Sequence, residues 1–597
     1  MKINVIHHNY SNSIMLDAET LSYICKRFKS KPKVEHINIQ NYTCPEATIN
    51  IFLESVNFSF IRRAKYNIFI PNHHYFSKNW LDFLPSFDMI LCKTKYCYEV
   101  FKDYVPPDKI KCIRWRSPDI SMNNIEKEEK DWLVMYTDHH YTDVQKLIDV
   151  WELHYPTLNI LCSGVPKNSI KKRNLANIVY LENYTSSKFE LLFNTCPIHF
   201  ILDQIDNFNH YANQTMLVGS VPVVLNKGPI LETVDKENCF YIKSSKKKIK
   251  NFLGSKYTFS VEDLKNTIEK IINTSDTTIE IMGNNCKAFA NKNQTQTINT
   301  IMDPFEAIFK KTINIKFNKK EYSDSDLPSL SIITDYRSTK KMFKLPILNY
   351  TSTDYPKDKL EWIIIDNKQG EESIENMLPP KEIRDTYNIK YFNVDKKMTI
   401  GAKKNLAVEN ASNDVIMCME DDYFFYEDGI KKMIIELLRS EKKCIGCSVI
   451  GAFHITRYIS LILSMDMMDH YYNRLHTGTL CFYKTFWENN KFDDVDFGEI
   501  KPLIEHRLID FSEISWDEKC VSLIYSKNEM YKKVPDNQEP NGCHYKFSKK
   551  VFEFVCSLDE ENKKTEDDTP EKTGDENNLN SVDSDTEIIN NTNIKEI

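Results

Sequence analysis

Three times along the chain, short apolar runs alternate with amphipathic stretches, and this rhythm narrows the possible folds more than any other feature. Residues 1–127 read MKINVI, then the helical MLDAETLSYICKRF, then VEHINI, YNIFIP and FDMILCKT. Strands alternating with helices predict a parallel sheet with helices on its faces. A charged break, NNIEKEEKDW at 123–132, is followed by a second set: DWLVMYT, a helix over DVQKLIDVWELHY, then LNILCSG, NIVYLEN, a helix over SSKFELLFNTC, HFILD and SVPVVLN. Two such sets in succession predict two facing Rossmann-like halves with a cleft between them. The lysine run KSSKKKIK reads as a solvated helix start, 261–310 as helical, and NKKEYSDSDLPS at 318–329 as an interdomain linker. A third set opens at SLSIITDYR. It continues through LEWIIIDN, NIKYFNV, a helix over IGAKKNLAVENA, DVIMCMEDD and a helix over EDGIKKMIIELLRS.

A chain of 597 residues with 41% apolar and 12% aromatic side chains can bury two to four cores, which excludes global disorder and a fibrous protein. The charge is unevenly placed. From Leu558 to Ile597 there are 13 acidic and 4 basic residues, a net of −9, which against −7 for the whole chain leaves +2 for residues 1–557. A near-neutral body lacks the basic face that sequence-independent nucleic-acid binding needs. The acidic tail has too little apolar surface to offset its ordering entropy and is expected to be disordered. The 16 cysteines are scattered singly in apolar runs, as reduced cytosolic thiols are. The lone CxxC, Cys444 to Cys447, reads as a buried strand pair with no second pair at zinc spacing. The N-terminal MKINVIHHNYSNS does not have the pattern of a signal peptide, and YISLILSMDMM is too short to span a bilayer. A cytoplasmic location is expected, in the host cytoplasm or a virion if the source is viral. The heavy use of Asn, Lys and Ile suggests an AT-rich genome, such as that of a large DNA virus.

The chemistry is concentrated in the third set. DVIMCMEDDYFFYEDG places Glu420, Asp421 and Asp422 directly after an apolar strand, where ligands bind in an open parallel sheet. Adjacent acids repel unless a cation sits among them, so a hard divalent ion is their natural partner and could neutralise a diphosphate. A solvated loop of acids is the plainer alternative. Context favours the site: LEWIIIDN ends a second strand in Asp366, and IGAKKNLAVENASNDVIMCMEDD leads from a glycine and two lysines through a helix into the acidic strand end.

This order resembles the family-2 glycosyltransferases with the GT-A fold, over about residues 327–550. The resemblance implies that Asp335 and Arg337 lie by the nucleotide and that Asp366 accepts from the base or ribose. Lys403, Lys404 or Asn405 would face phosphates or sugar, and Glu420 and Asp422 would be the outer positions of a DxD motif around Asp421, holding Mn2+ or Mg2+. Glu stands in place of the first Asp. FGEIKPL matches the place of the family's general base, which makes Glu499 the candidate, with Asp494 and Asp496 as nearby rivals. His544 in NGCHYKF is a candidate metal ligand, and His454 and His476 are weaker ones. Inversion at the anomeric carbon is implied by the family.

Upstream, IHFILDQIDNFNHYANQTMLVGSVPVVLN at 198–226 resembles the C-terminal half of family-4 transferases with the GT-B fold. The resemblance implies that two glutamates with seven residues between them grip donor sugar and ribose there; Asp206 and Gln214 hold those positions here, eight steps apart, with His210, Tyr211 and Asn213 between. The family's glycine and basic phosphate cradle is missing, since WLVMYTDHHYTDVQK offers only His139, His140 and Lys146. IFIPNHHYFSKNWLDFLPSFDMILCKTKY resembles an acceptor-side half, with His73 or His74 as acceptor contacts.

The expectation is therefore an α/β chain: a GT-B-like N-terminal half at 1–127, a degenerate GT-B-like C-terminal half at 128–317, a GT-A domain at 327–555 and a disordered acidic tail at 556–597. Its expected reaction is metal-dependent transfer of a sugar from a nucleoside diphosphate sugar to a hydroxyl of a glycoprotein or polysaccharide. The partners are a sugar nucleotide donor and a glycan or glycoprotein acceptor, with no nucleic acid and no transmembrane segment. The alternatives are a non-catalytic carbohydrate- or nucleotide-binding scaffold built from decayed transferase folds, and a nucleotidyltransferase using the same acidic site.

Overall fold

The structure, a computed structural model, describes residues 1–559 except 9–11, 29–30, 42–43, 114, 124, 129, 137–140, 163–169, 183–184, 206, 313–319, 368–372, 466–468, 529–531, 533 and 535–537. His139, His140, Asp206 and most of the acidic tail lie outside the described residues.

Each of the three alternating regions builds its own sheet. The first is six-stranded and parallel, in the order Lys33–Asn38, Lys2–His7, Ala47–Leu53, Ala64–Ile70, Met89–Cys92, Ile110–Cys112. Its order reverses beside the first strand, which puts a switch point at that strand's carboxyl end. The second sheet runs Phe240–Ile242, Val221–Leu225, Ile198–Ile201, Asp131–Tyr136, Thr157–Cys162, Ile178–Leu181, again all parallel. This is the doubly-wound order, with its switch between Asp131–Tyr136 and Ile198–Ile201. Parallel strands are covered on both faces, which is why VPVVL and IHFI are buried throughout, with no polar alternation.

The helical stretch expected over 261–310 is two helices, Val261–Ile272 and Asp276–Thr312. The second is 37 residues long and bridges the two sheets. Cys286 and Ala290 pack in the second unit, while Ile301, Phe305 and Ile308 pack in the core of the first. The lysine run departs from expectation. Ser245–Lys248 is the exposed strand of an antiparallel hairpin with Ser255–Thr258, turned by Asn251 at φ +67°. Its consecutive lysines have no apolar face to bury, so they sit at a solvated edge, where charge discourages further pairing.

The third region forms a seven-stranded sheet in the order Ile389–Asn393, Leu360–Asp366, Leu330–Asp335, Val415–Cys418, His476–Tyr483, Cys444–Cys447, Phe511–Glu513. The first four strands are parallel, and His476–Tyr483 runs against its neighbours. Cys444 and Cys447 are both buried free thiols on one strand. A four-stranded sheet, Tyr423–Phe425, Cys520–Ile524, Val449–His454, Ile459–Ser464, stands beside it. The last helix, Lys549–Ser557, packs Val555 into the core.

One apolar cluster on the seven-stranded sheet continues without a break into the first sheet. Phe58 lies 5.0 Å from Tyr471 and 6.2 Å from Phe511, ring centroid to centroid. Around this seam Arg62 pairs with Glu436 at 2.5 Å and His506 Nδ1 with Asp82 at 2.7 Å. Among the described residues no helix is long and apolar enough to cross a membrane.

Candidate active site

Glu420, Asp421 and Asp422 follow the strand Val415–Cys418, and Asp335 ends its parallel neighbour Leu330–Asp335. Both strands deliver their carboxyl ends to one place. Asp421 staples them there, because its Oδ2 accepts the backbone N–H groups of Arg337 at 2.7 Å and Ser338 at 2.8 Å. Burial, reinforced by Asp422, pushes the Asp421 carboxyl above the usual range despite Arg337. Gly478 lets the strand His476–Tyr483 come close, since a Cβ there would stand 3.2 Å from Glu420 Cβ and 2.9 Å from the Tyr423 ring.

The acids are met by cations. Arg337 reaches Asp335 at 3.1 Å and Glu420 at 3.0 Å. Desolvation opposes the guanidinium's charge, but Asp335, Glu420, Asp421 and Asp422 together raise its pKa well above the ordinary value. Lys404 places its ammonium 3.0 Å from Glu420 and 2.8 Å from Glu499. Burial disfavours that ammonium too, and Glu420, Asp335 and Glu499 overcome the penalty. Burial would raise the Glu420 carboxyl, but Arg337 and Lys404 hold it far below the usual carboxylate range, and the Thr477 hydroxyl donates to it as well.

The helix Ile400–Glu409 delivers Lys404. Lysines near a helix N-terminus oppose the helix dipole, and here both are buried against acceptors, Lys403 on the Tyr336 carbonyl at 2.9 Å. Thr399 caps the helix through Ala402 N–H, Asp494 accepts from the Thr399 hydroxyl, and Asp496 accepts from Ile400 N–H at 3.1 Å. Both rivals of Glu499 thus hold the start of this helix, Asp494 through the capping threonine and Asp496 through a backbone N–H. Gly401 permits the 493–499 segment to lie on the helix start, because a Cβ there would be 1.7 Å from the Asp493 carbonyl oxygen. Asn405 faces away from the acids. Its amide donates to the Phe492 carbonyl and its oxygen accepts from Trp487 Nε1 and Phe492 N–H, so it anchors the segment that carries Glu499.

Asp422 Oδ2 receives Lys532 at 2.8 Å and Asn528 Nδ2 at 2.9 Å, while Oδ1 is buried with no hydrogen-bond partner among the described residues. Sequence reading missed Lys532 and Asn528, which lie more than 100 residues downstream with no motif to mark them. Asp366, fully buried, accepts from Ser373 Oγ, Ile374 N–H and Tyr391 OH. His476 lies beside the acids, its Nδ1 3.4 Å from Tyr423 OH, and burial lowers its pKa to about 4.

His544 is a correction. Its side chain is exposed, and its backbone N–H donates to Ser460 on the strand Ile459–Ser464. That strand is at the opposite edge of its sheet from Tyr423–Phe425, about 14 Å of sheet at three strand spacings. Among the described residues no group of three or more His, Cys, Asp or Glu side chains converges as a metal cage.

The first two sheets also bring their carboxyl ends together, and a buried ionic network occupies the place. Asp17 takes Lys93 Nζ, Trp115 Nε1 at 2.5 Å and His210 Nε2 at 2.7 Å, and Lys93 also meets Glu54 at 3.1 Å. Asn213 Oδ1 accepts from Ser117 N–H and Gln214 donates to the Pro118 carbonyl. A void of about 10 Å³ remains beside His73, Lys93 and Asn207. His74 is buried next to it, its N–H on Asn72 Oδ1.

Residues 347–492 match the family Glycosyl transferase family 2. The matched stretch contains Asp366, Lys403, Lys404 and Glu420 to Asp422. No curated protein matches the chain. Among solved structures, Anabaena HepE, determined with UDP and glucose, is 12% identical, with 52% of this chain and 100% of that one covered and a TM-score of 0.37. TarM is 13% identical over 44% of this chain and 54% of its own, TM-score 0.35. Residues 1–349 of S. aureus TarS are 11% identical over 33% of this chain, TM-score 0.27, and the chain spans 60% of that fragment's length. The family match therefore places a stretch similar to the family 2 glycosyltransferases within the C-terminal half of the chain, over residues 347–492.

Proposed function

We propose that the domain at 327–555 transfers a sugar from a nucleoside diphosphate sugar to a hydroxyl of a glycan or glycoprotein. The observation that carries this reading is the convergence of Asp335, Arg337, Lys404, Glu420 and Glu499 beside Asp422, with Lys404, Glu420 and Asp422 inside the stretch that matches the family 2 model. Asp335 and Asp366 would face the nucleoside, and Arg337 the phosphates. Glu499 would take the acceptor proton as the acceptor oxygen bonds to the anomeric carbon and the carbon–oxygen bond to the diphosphate breaks.

The donor set fits a hard divalent ion, Mn2+ or Mg2+. Asp422 Oδ1 is a buried carboxylate oxygen left open, and such ions take one or two protein carboxylates and complete their shell with water and substrate phosphates. Asp422 would hold the ion, since Lys404, Arg337 and Thr477 already engage Glu420 Oε1. When bound, the ion neutralises the departing diphosphate. A panel of UDP- and GDP-sugars, with and without Mn2+, tests the reading on the full chain. Donor hydrolysis or transfer that is abolished in Asp422→Ala supports it; no turnover of any donor, or turnover indifferent to that substitution, overturns it.

For residues 1–127 and 128–317 we propose a GT-B-like pair retained as a binding or scaffold module. The support is the Asp17, Lys93 and His210 network in the cleft and the use of Gln214 on Pro118. A donor that turns over undiminished in Asp422→Ala would instead place activity in these halves.

A further inference from the structure

A second cleft, about 100 Å³, opens where the first unit meets the C-terminal domain. It is lined by Arg62 and Arg63 from one side and by Arg474, Glu513 and Ser515 from the other. Arg474 is 5% exposed, stacks on Tyr471 at 5.4 Å, and has two guanidinium nitrogens, Nε and Nη1, buried with no hydrogen-bond partner among the described residues. Buried donors are nearly always satisfied, and a buried guanidinium with open N–H groups is costly unless an anion meets it.

The neighbouring charges do not supply that anion. Glu513 is engaged by Ser448 N–H, Ser448 Oγ and the Tyr471 hydroxyl. Arg62 is paired with Glu436. Neither Arg63 nor Arg474 has a carboxylate within ion-pair distance among the described residues, so among these residues three guanidiniums face two carboxylates, a surplus of positive charge. Its volume admits several waters or one tetrahedral oxyanion, and the forked donors of arginine match phosphate geometry.

We infer that this cleft binds a phosphate group, free or as the end of a small phosphomonoester, through Arg474 and Arg63, and that the bound ion ties the first unit to the C-terminal domain. The site is separate from the acids at Glu420 to Asp422 and does not depend on the reading given for them.

The test is calorimetry and thermal unfolding of the full chain without divalent metal, titrated with inorganic phosphate and, in a parallel arm, glucose 1-phosphate. Saturable binding of either with a rise in Tm is expected. Tighter binding of the ester identifies a phosphomonoester as the ligand, and equal binding identifies the free ion. Arg474→Met should weaken binding at least tenfold. Ser515→Glu, a half-buried position that sets a carboxylate among the arginines without emptying the core, should do the same while leaving UDP binding unchanged. Absence of saturable binding at 10 mM phosphate (on the order of the weakest useful affinity), binding unaltered in Ser515→Glu, or phosphate displaced by UDP would each overturn the inference.

Discussion

The Lys404 ammonium lies 2.8 Å from Glu499 Oε1, and both side chains are buried. One cation thus holds the candidate base and, at 3.0 Å, the first acid of the triplet. Removing it leaves two buried carboxylates facing each other. Lys404→Met is expected to lower stability by roughly 3–5 kcal/mol, the cost of a broken buried pair, read as a shift in the urea midpoint. Glu499→Gln keeps the shape and leaves Glu420 as the counter-charge of Lys404, so it should still fold, with a smaller loss of stability than Lys404→Met. Its kcat should fall by roughly 10² to 10⁴, the range for loss of a general base, with UDP affinity retained. A kcat within a factor of three of the parent would remove Glu499 from the reaction.

Gly401→Ala separates helix propensity from packing. In an open helix alanine is favoured by about 1 kcal/mol, but here the new Cβ would meet the Asp493 carbonyl at 1.7 Å. Backbone must move, and the segment that moves carries Glu499. The expected outcome is destabilisation of about 1–3 kcal/mol with a loss in kcat of at least tenfold. A more stable and equally active variant would show that the 493–499 segment does not position the base.

Some of this was legible in the sequence. The alternation of apolar runs foretold the two parallel sheets and the four parallel strands of the third, because strands covered on both faces are apolar throughout, but not the antiparallel strand His476–Tyr483. The acids at 420–422 stood out because they end such a strand directly. His544 misled because nothing local distinguishes a histidine near the acids from one on the far edge of a neighbouring sheet, and that sheet, built from Tyr423–Phe425, Val449–His454, Ile459–Ser464 and Cys520–Ile524, joins segments with no shared period. The network of Asp17, Glu54 and Lys93 was invisible for a related reason. Its members are brought together only by the sheet, and each sits in the sequence as an ordinary charge beside an apolar run.

Asp17 is the centre of that network and joins the first unit to the second through His210. Burial would raise its carboxyl, but Lys93 and His210 hold it below the usual value. Asp17→Asn should cost roughly 3–5 kcal/mol because Lys93 loses its nearest counter-charge in the interior. Hydrogen exchange should report the loss on both the first and second sheets; protection lost on the first alone would show that Asp17 does not couple the two.

Lys127 gives a pH signature. It donates to the Asn194 carbonyl and Ser220 Oγ, both at 2.7 Å, and burial pushes its pKa down to about 7. An unfolded lysine keeps its proton to about 10.4. Between those values the unfolded state holds a proton that the folded state has released, so this group makes stability rise with pH from about 7 to 10.4 and adds its full penalty below 7. The urea midpoint of the parent should climb over that window more steeply than that of Lys127→Met. Parallel profiles would mean that Lys127 stays charged in the fold.

The aromatic seam of Phe58, Tyr471 and Phe511 bears on how this chain can be taken apart. A boundary drawn at residues 318–329 cuts the backbone at a plausible place but leaves half of that seam on each piece. The excised C-terminal domain would present Tyr471 and Phe511 to water as part of a contiguous apolar face, the kind of surface that self-associates. Grafting the domain onto another protein, or expressing it alone, therefore calls for a resurfaced seam, with polar residues in place of those rings, before the catalytic machinery is touched.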